Sequence, residues 1–345
     1  MFRLLALLQL TRAALAFTAI ADAWAVLLLR RPGTEAVPIS WLIIIKMLAT
    51  AVVSFGLYGF GMVLNDLLDA RRDRIFAPRR PIPSGRIKPR GAFVVALVLL
   101  MAAFLAAAFL TLLHVWDRNS IHVRDIIPYS FLLALATASL IVFYDATSKY
   151  LGGLGLVTLG LIRALHCLIG NPRTTLLFLS MILLTHVVVI STIAYRLENK
   201  RPRLNKGDIL TVILGLLIGN GLMLWYMVTR KEWPQTQIHM LMGPGIAAAV
   251  FWVWAAMLLF GKLSPRQKGE RLMLMGLFWL FIYDASILIA NEQYLAGVAI
   301  TLLLMCAILS FFGIRWLSRG SVLPRVHYRE ERSPAAPLPA SEAPT

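Results

Sequence analysis

Charge is what this chain has least of. Only 15% of its 345 residues are Asp, Glu, Lys or Arg, where a soluble domain carries about a quarter. The amphipathic stripes of a water-facing surface are missing as well, which excludes an ordinary globular enzyme of this length. There are two cysteines, Cys167 and Cys306, both inside apolar runs on different segments. They make neither a disulfide framework nor a thiolate metal spacing, and they do not reveal a redox compartment. No G-x-G-x-x-G and no P-loop occurs, so the usual backbone cradles for nucleotide phosphates are absent.

What is present instead is 59% hydrophobic residues, arranged in runs of about 20 separated by short polar joints. Lipid offers no partner for a bare backbone group, so such runs predict membrane-spanning helices. Spans are expected near 7–29, 40–66, 92–113, 127–145, 152–170, 174–196, 209–228, 240–261, 271–290 and 295–314, an all-α bundle of about nine to ten helices. The first run contains Arg12 and Asp22 and is followed by no small-residue cleavage site. It therefore reads as a retained helix and not as a removed signal peptide.

The formal charge of +17 is a topology signal and not a nucleic-acid footprint. With alternate joints assigned to opposite sides, one side holds 24 Lys and Arg and the other 7. The richer side is expected to face the cytoplasm, and some attraction to anionic lipid headgroups follows. Residues 1–320 form the expected membrane domain. Residues 321–345 start basic, turn Pro- and Ala-rich, and are expected to form a disordered cytoplasmic tail.

The most informative stretch runs from residue 65 to 87, NDLLDARRDRIFAPRRPIPSGRI, where the second span meets the most basic joint. Asn65, Asp66, Asp69 and Asp73 lie at helical offsets that confine them to an arc of about 100°. Crowded carboxylates repel unless a cation sits among them, so this face predicts a site for a hard divalent ion, with Mg²⁺ favoured. Arg71, Arg72, Arg79, Arg80 and Arg86 then stand ready for diphosphate oxygens. The plainer alternative is a solvated helix end with ordinary ion pairs.

NDLLDARRD followed by RPIPSGRI resembles the first Asp-rich motif of the UbiA superfamily of membrane prenyltransferases, written NDxxDxxxD. Tyr144 and Lys149, in YDATSK, resemble the superfamily's Tyr and Lys motif. The likeness extends over roughly residues 7–315, and it is closer still to the EboC-like branch, in LTRAALAFTAIAD, in the segment 144–170 and in the Asp284–Ala285 pair. The resemblance implies helices ringed about a central cavity with the Asp motifs at its cytoplasmic rim, in a bacterial inner membrane. It implies Asp66, Asp69 and Asp73 as metal ligands assisted by Asn65, with Arg71, Arg72, Arg79, Arg86, Tyr144 and Lys149 as donor contacts. The expected partners are a prenyl diphosphate donor, a hydrophobic or aromatic acceptor and the lipid itself.

One departure counters the match. Where the superfamily has a second Asp-rich motif on its sixth helix, this chain reads ISTIAYRLENKRP, with Ser191 and Glu198 at the leading acidic positions. Glu198 is the expected survivor of the second metal site, and the loss leaves two readings: a Mg²⁺-dependent prenyltransferase, or a non-catalytic relative that binds or moves a hydrophobic molecule.

Polar residues inside spans are functional candidates by default. Arg163 either reaches a diphosphate or carboxylate ligand or pairs with Asp22 or Asp284. Lys46 is expected to snorkel outward, and His166 and His186 to be satisfied core residues. Tyr58 either faces the prenyl chain or simply packs.

Overall fold

The computed structural model describes residues 2–29, 40–116, 127–174, 176–200, 202–230 and 239–320. The chain forms helices α1 (Phe2–Leu10), α2 (Ala13–Leu28), α3 (Trp41–Leu68), α4 (Ala70–Phe76), α5 (Pro89–Trp116) and α6 (Tyr129–Ala146). A 3₁₀ turn, Ser148–Tyr150, leads into α7 (Gly153–Cys167), α8 (Phe178–Leu197), α9 (Lys206–Thr229), α10 (His239–Phe260), α11 (Pro265–Ala290) and α12 (Tyr294–Gly320). Among the described residues eight helices are long and apolar enough to cross a membrane, or nine if α1 and α2, bent by 51° at their break, count as one span. The protein is thus an all-helical, multi-pass integral membrane protein. The segment 321–345 lies outside the described residues.

Each of the ten expected spans corresponds to a helical segment, with two differences. The run 7–29 is not one continuous helix, because Arg12 takes φ 46° and ψ 45°, in the left-handed region. A non-glycine residue there costs about 1 kcal/mol, and the chain turns at that point. The segment 152–170 contains a helix of only 15 residues, α7. At 1.5 Å per residue it covers about 22 Å, short of a hydrocarbon core of about 30 Å.

Local signals explain the helix starts. Ser40 caps α3 by accepting from the Ile43 N–H at 3.3 Å. Asn205 and Asp208 form a reciprocal capping box on α9, as do Ser264 and Gln267 on α11, where Pro265 fills the first turn.

Helices α2, α3, α6, α7, α8 and α11 pack in sequence into a closed inner ring, and α2 also touches α7 across it. Helix α5 lies on α3 and α6, α9 on α7 and α8, α10 on α11, and α12 on α2 and α11. These outer helices turn residues such as Leu105, Leu217, Val253 and Leu309 outward, as lipid-facing surfaces do. The α3–α5 seam is made of small residues. Ala96, Ala103 and Ala107 are buried along α5, and a Cβ on Gly56 of α3 would stand 2.7 Å from the Leu99 carbonyl oxygen. Without a hydrophobic drive between helices in lipid, this close backbone approach is what gives the contact its van der Waals energy.

Candidate active site

The acidic run does not stay on one helix. Helix α3 ends at Leu68, Asp69 is its C-cap at φ −84° and ψ 0°, and α4 starts at Ala70. The four side chains expected on one face are thereby divided into two sets, each closed by a basic group from elsewhere. In the first, Arg80 Nη1 donates to Asp66 Oδ1 at 3.2 Å and to Asp73 Oδ2 at 2.6 Å. Arg12 adds a second cation, its Nη2 3.8 Å from Asp66 Oδ1. In the second, Lys149 Nζ donates to Asn65 Oδ1 at 3.1 Å and to Asp69 Oδ1 at 3.0 Å. Asp145 stands 4.0 Å from the same ammonium, and the Tyr150 hydroxyl donates to Asp69 at 3.3 Å. Asp66, Asp73 and Asp145 are buried. Buried carboxylates this close together require cations between them, and here Arg80 and Lys149 supply them.

The basic loop after α4 is shaped by Arg86. Its guanidinium donates to Gln9 Oε1 and to the Arg79 carbonyl, each at 2.6 Å, and to the Ser84 hydroxyl at 3.0 Å. Partial burial lowers its pKa from the ordinary arginine value. Arg86, expected to contact diphosphate, is thus committed to folding its own loop, and Gly85 at φ 73° makes the turn that allows it. Arg71, Arg72 and Arg79 are exposed around the two acidic sets, Arg72 lying over the Phe76 ring at 5.9 Å. Tyr144 is within electrostatic reach of Asp69 and Arg12.

The remaining candidates sit apart. Glu198 caps α8 and pairs with Lys200 at 2.9 Å, its side chain resting on Gly269 of α11. Ser191 is buried with its hydroxyl unpartnered. Arg163 pairs with Asp22 deep in the bundle, the structural partner that the sequence allowed. His186 is a satisfied core residue: its Nε2 lies 3.1 Å from the Gly276 carbonyl and its Nδ1 3.2 Å from the Tyr283 hydroxyl. His166 is buried with both ring nitrogens unpartnered, unlike the satisfied residue expected. Lys46 is only 5% exposed, packed inside the bundle and not reaching out from its lipid face as expected.

Sequence reasoning gave Arg80 to diphosphate, not to the carboxylates, and it assigned no site role to Arg12, Asp145 or Asp208. Asp208 accepts from the Gly153 N–H at 2.9 Å and from the Asn205 N–H at 2.8 Å, so one carboxylate caps α7 and closes the α9 capping box. The approach is so tight that a Cβ on Gly152 or Gly153 would collide with Asp208, and Gly152 has φ 50°. Nothing local in the sequence linked this glycine pair to a carboxylate 55 positions away. This latch fixes the turn that carries Lys149 and Tyr150 to Asp69.

The donor set is all oxygen, from Asn65, Asp66, Asp69 and Asp73, which suits a hard divalent cation. Among the described residues no three carboxylates, imidazoles or thiols stand close enough to hold one ion. Mg²⁺ is commonly held by one or two carboxylates with substrate phosphate and water, so pairs of this kind fit it.

The fold and site define a polytopic helical membrane protein whose basic end gathers carboxylates with guanidinium and ammonium groups. The family model for UbiA, the UbiA prenyltransferase family, matches residues 11–117 of this chain. Digeranylgeranylglyceryl phosphate synthase of Sulfurisphaera tokodaii is 29% identical over 129 residues, 37% of this chain and 39% of the relative. The enzyme of the same name from Methanothermobacter thermautotrophicus is 43% identical over 68 residues, 20% of this chain and 24% of the relative. The chain thus aligns with well under half the length of these curated relatives. A solved structure of digeranylgeranylglyceryl phosphate synthase superposes with a TM-score of 0.56 at 19% identity, covering 85% of this chain and all of that one, a likeness of fold. These comparisons bear on the superfamily and not on the EboC-like branch.

Proposed function

We propose that the protein transfers a prenyl group from an isoprenoid diphosphate to a hydrophobic acceptor within the membrane, with Mg²⁺ as cofactor. The observation that carries this reading is the meeting of Asn65, Asp66, Asp69 and Asp73 with Arg12, Arg80 and Lys149 at one end of the bundle. Bound Mg²⁺ would neutralise the diphosphate and make it a better leaving group. Asp66, Asp69 and Asp73, with Asn65, would hold the ion. Arg80 and Lys149, which bridge the carboxylates, would turn to phosphate oxygens as the metal takes their place. Arg71, Arg72, Arg79 and Tyr144 would line the approach. The bundle's apolar interior would keep water from the allylic carbon while the acceptor attacks.

The relatives' names describe a glyceryl phosphate carrying two geranylgeranyl groups, so geranylgeranyl diphosphate with a glyceryl phosphate acceptor is one pair to test beside aromatic acceptors. In the assay, purified protein in vesicles receives geranyl, farnesyl or geranylgeranyl diphosphate with each acceptor, and diphosphate release is measured with and without Mg²⁺. Release above a protein-free control, dependent on Mg²⁺, is expected.

The pairing of Glu198 with Lys200 and the apolar setting of Ser191 favour a second reading, a non-catalytic binder or carrier. Donor binding without release, for every donor and also after Ser191→Asp, would establish it.

A further inference from the structure

We infer that Asp22 and Asp284 share a single proton and form, with Arg163, a proton-binding site in the middle of the helix bundle. The inference does not rest on the transferase reading.

Asp22 lies ten positions beyond Arg12 on α2, and Arg163 ten positions beyond Gly153 on α7. Each is about 15 Å along its helix from the basic end, half the thickness of a hydrocarbon core of about 30 Å. Both Asp22 and Asp284 are 0% exposed. Arg163 pairs with Asp22, and the Asp284 carboxyl lies within hydrogen-bonding range of Asp22. Neither oxygen of Asp284 meets any N–H or O–H donor.

Two carboxylates side by side cannot hydrogen-bond to each other, because an ionised carboxylate only accepts. In a medium of low dielectric their repulsion is large, and one guanidinium offsets only one of them. The usual remedies are excluded by packing. The carboxyl oxygens of both residues are enclosed by packed side chains, so neither a bridging water nor a hydrated cation has room beside them. A proton needs no such room. One proton between the two carboxyls supplies the missing hydrogen bond and makes the group of two carboxyls and one guanidinium electrically neutral.

Among the described residues, no neighbouring element places a donor on the Asp284 carboxyl. On α7, Cys167 donates its thiol to the Ala164 carbonyl at 3.1 Å, and the His166 ring nitrogens have no partner. His186 of α8 and Tyr283 of α11 face each other at 3.2 Å. On α3, Thr50 and Ser54 are buried at the same depth, which the Trp24 N–H to Met47 carbonyl bond of 2.8 Å fixes, and they bring no charge. Tyr58 is within electrostatic reach of Arg163, and Lys46 has its own interaction one turn beyond Thr50. On α12, Cys306 is exposed. Within the ion pair Asp22 is fully enclosed, whereas the Arg163 side chain is 11% exposed, so the proton exchanges on the Arg163 side.

The test is infrared spectroscopy of the full-length protein in lipid vesicles at neutral pH, in H₂O and D₂O, comparing the parent with Asp284→Asn and Asp22→Asn. The parent is expected to show a protonated-carboxyl C=O band that is lost in Asp284→Asn. Asp22→Asn should lose it too, because Asp284 then becomes the ionised partner of Arg163. Asp284→Asn replaces a neutral hydrogen-bonding group by another, so its unfolding temperature should stay near the parent's, and that variant suffices if Asp22→Asn does not fold. An identical band in the parent and Asp284→Asn would overturn the inference. So would a rise in unfolding temperature in Asp284→Asn with no change in the band, since that is the signature of relieved repulsion between two ionised carboxylates.

Discussion

The protein has two acidic regions, and they solve the same electrostatic problem in opposite ways. At the basic end, Asp66, Asp73 and Asp69 each meet a guanidinium or an ammonium, and the arginines concerned reach in from solvent, Arg80 and Arg12 being 34% and 40% exposed. In the middle of the bundle two carboxyls share one arginine, and neither is exposed at all. Cations that reach water can leave when a stronger ligand arrives. A pair sealed among packed helices cannot rearrange without opening the bundle. The first arrangement suits binding, and the second holds helices together.

The sharpest way to break this contrast is to remove one charge from each region. Arg163→Ala should destabilise the protein by about 3–5 kcal/mol, because it leaves Asp22 buried without its partner. Thermal unfolding in detergent measures this, and the double change Asp22→Asn with Arg163→Met should recover most of the loss. Asp66→Ala should do the reverse. It should cost no more than about 1 kcal/mol of stability, since Arg80 keeps Asp73 and reaches water. Its diphosphate release should fall on the order of a hundredfold and lose its Mg²⁺ dependence, since the leaving group loses preorganised charge stabilisation. Equal effects of the two changes on stability would erase the distinction between the regions.

Smaller effects sharpen it further. Asp208→Ala should cost about 1 kcal/mol, the worth of a helix cap, and should raise the donor KM more than it lowers kcat, because the Lys149 turn loosens. Arg12→Gly should gain at most about 1 kcal/mol by relieving the left-handed backbone while weakening donor binding, so stability and affinity move in opposite directions. A cysteine at Ser84 should change neither stability nor turnover. It should be labelled from the cytoplasmic side only, and labelling from outside would invert the orientation.

The helices were legible because lipid imposes a simple rule on sequence: about 20 apolar residues between polar joints. The acidic motif was legible for the same reason that helical spacing is, since residues 65, 66, 69 and 73 fall within one arc. What could not be read were the contacts between distant segments. The break at Arg12 depends on a backbone conformation with no glycine to announce it. Arg80 looked like one of five interchangeable arginines, and only the fold of the loop, drawn in by Arg86, sets it between Asp66 and Asp73. Asp208 closes the capping box of α9, and nothing local signals its second bond to Gly153. The Arg163–Asp22 pair was one of several outcomes the sequence left open, because a charge inside lipid needs a partner or a ligand, whereas the place of Asp284 beside Asp22 needed the α2–α11 contact.

The clearance at Gly152 and Gly153 has a practical consequence for anyone recombining this protein with a relative. The hydrogen atoms on these two residues leave just enough space for the Asp208 carboxylate and backbone. The joint before α7 and the start of α9 are therefore a lock and its key, cut to each other. A chimera that takes residues 144–153 from one parent and 202–208 from another will carry mismatched halves, even if every span in it is intact. Crossover points should keep the two segments from a single parent, and a side chain larger than hydrogen at 152 or 153 calls for a compensating change at 208.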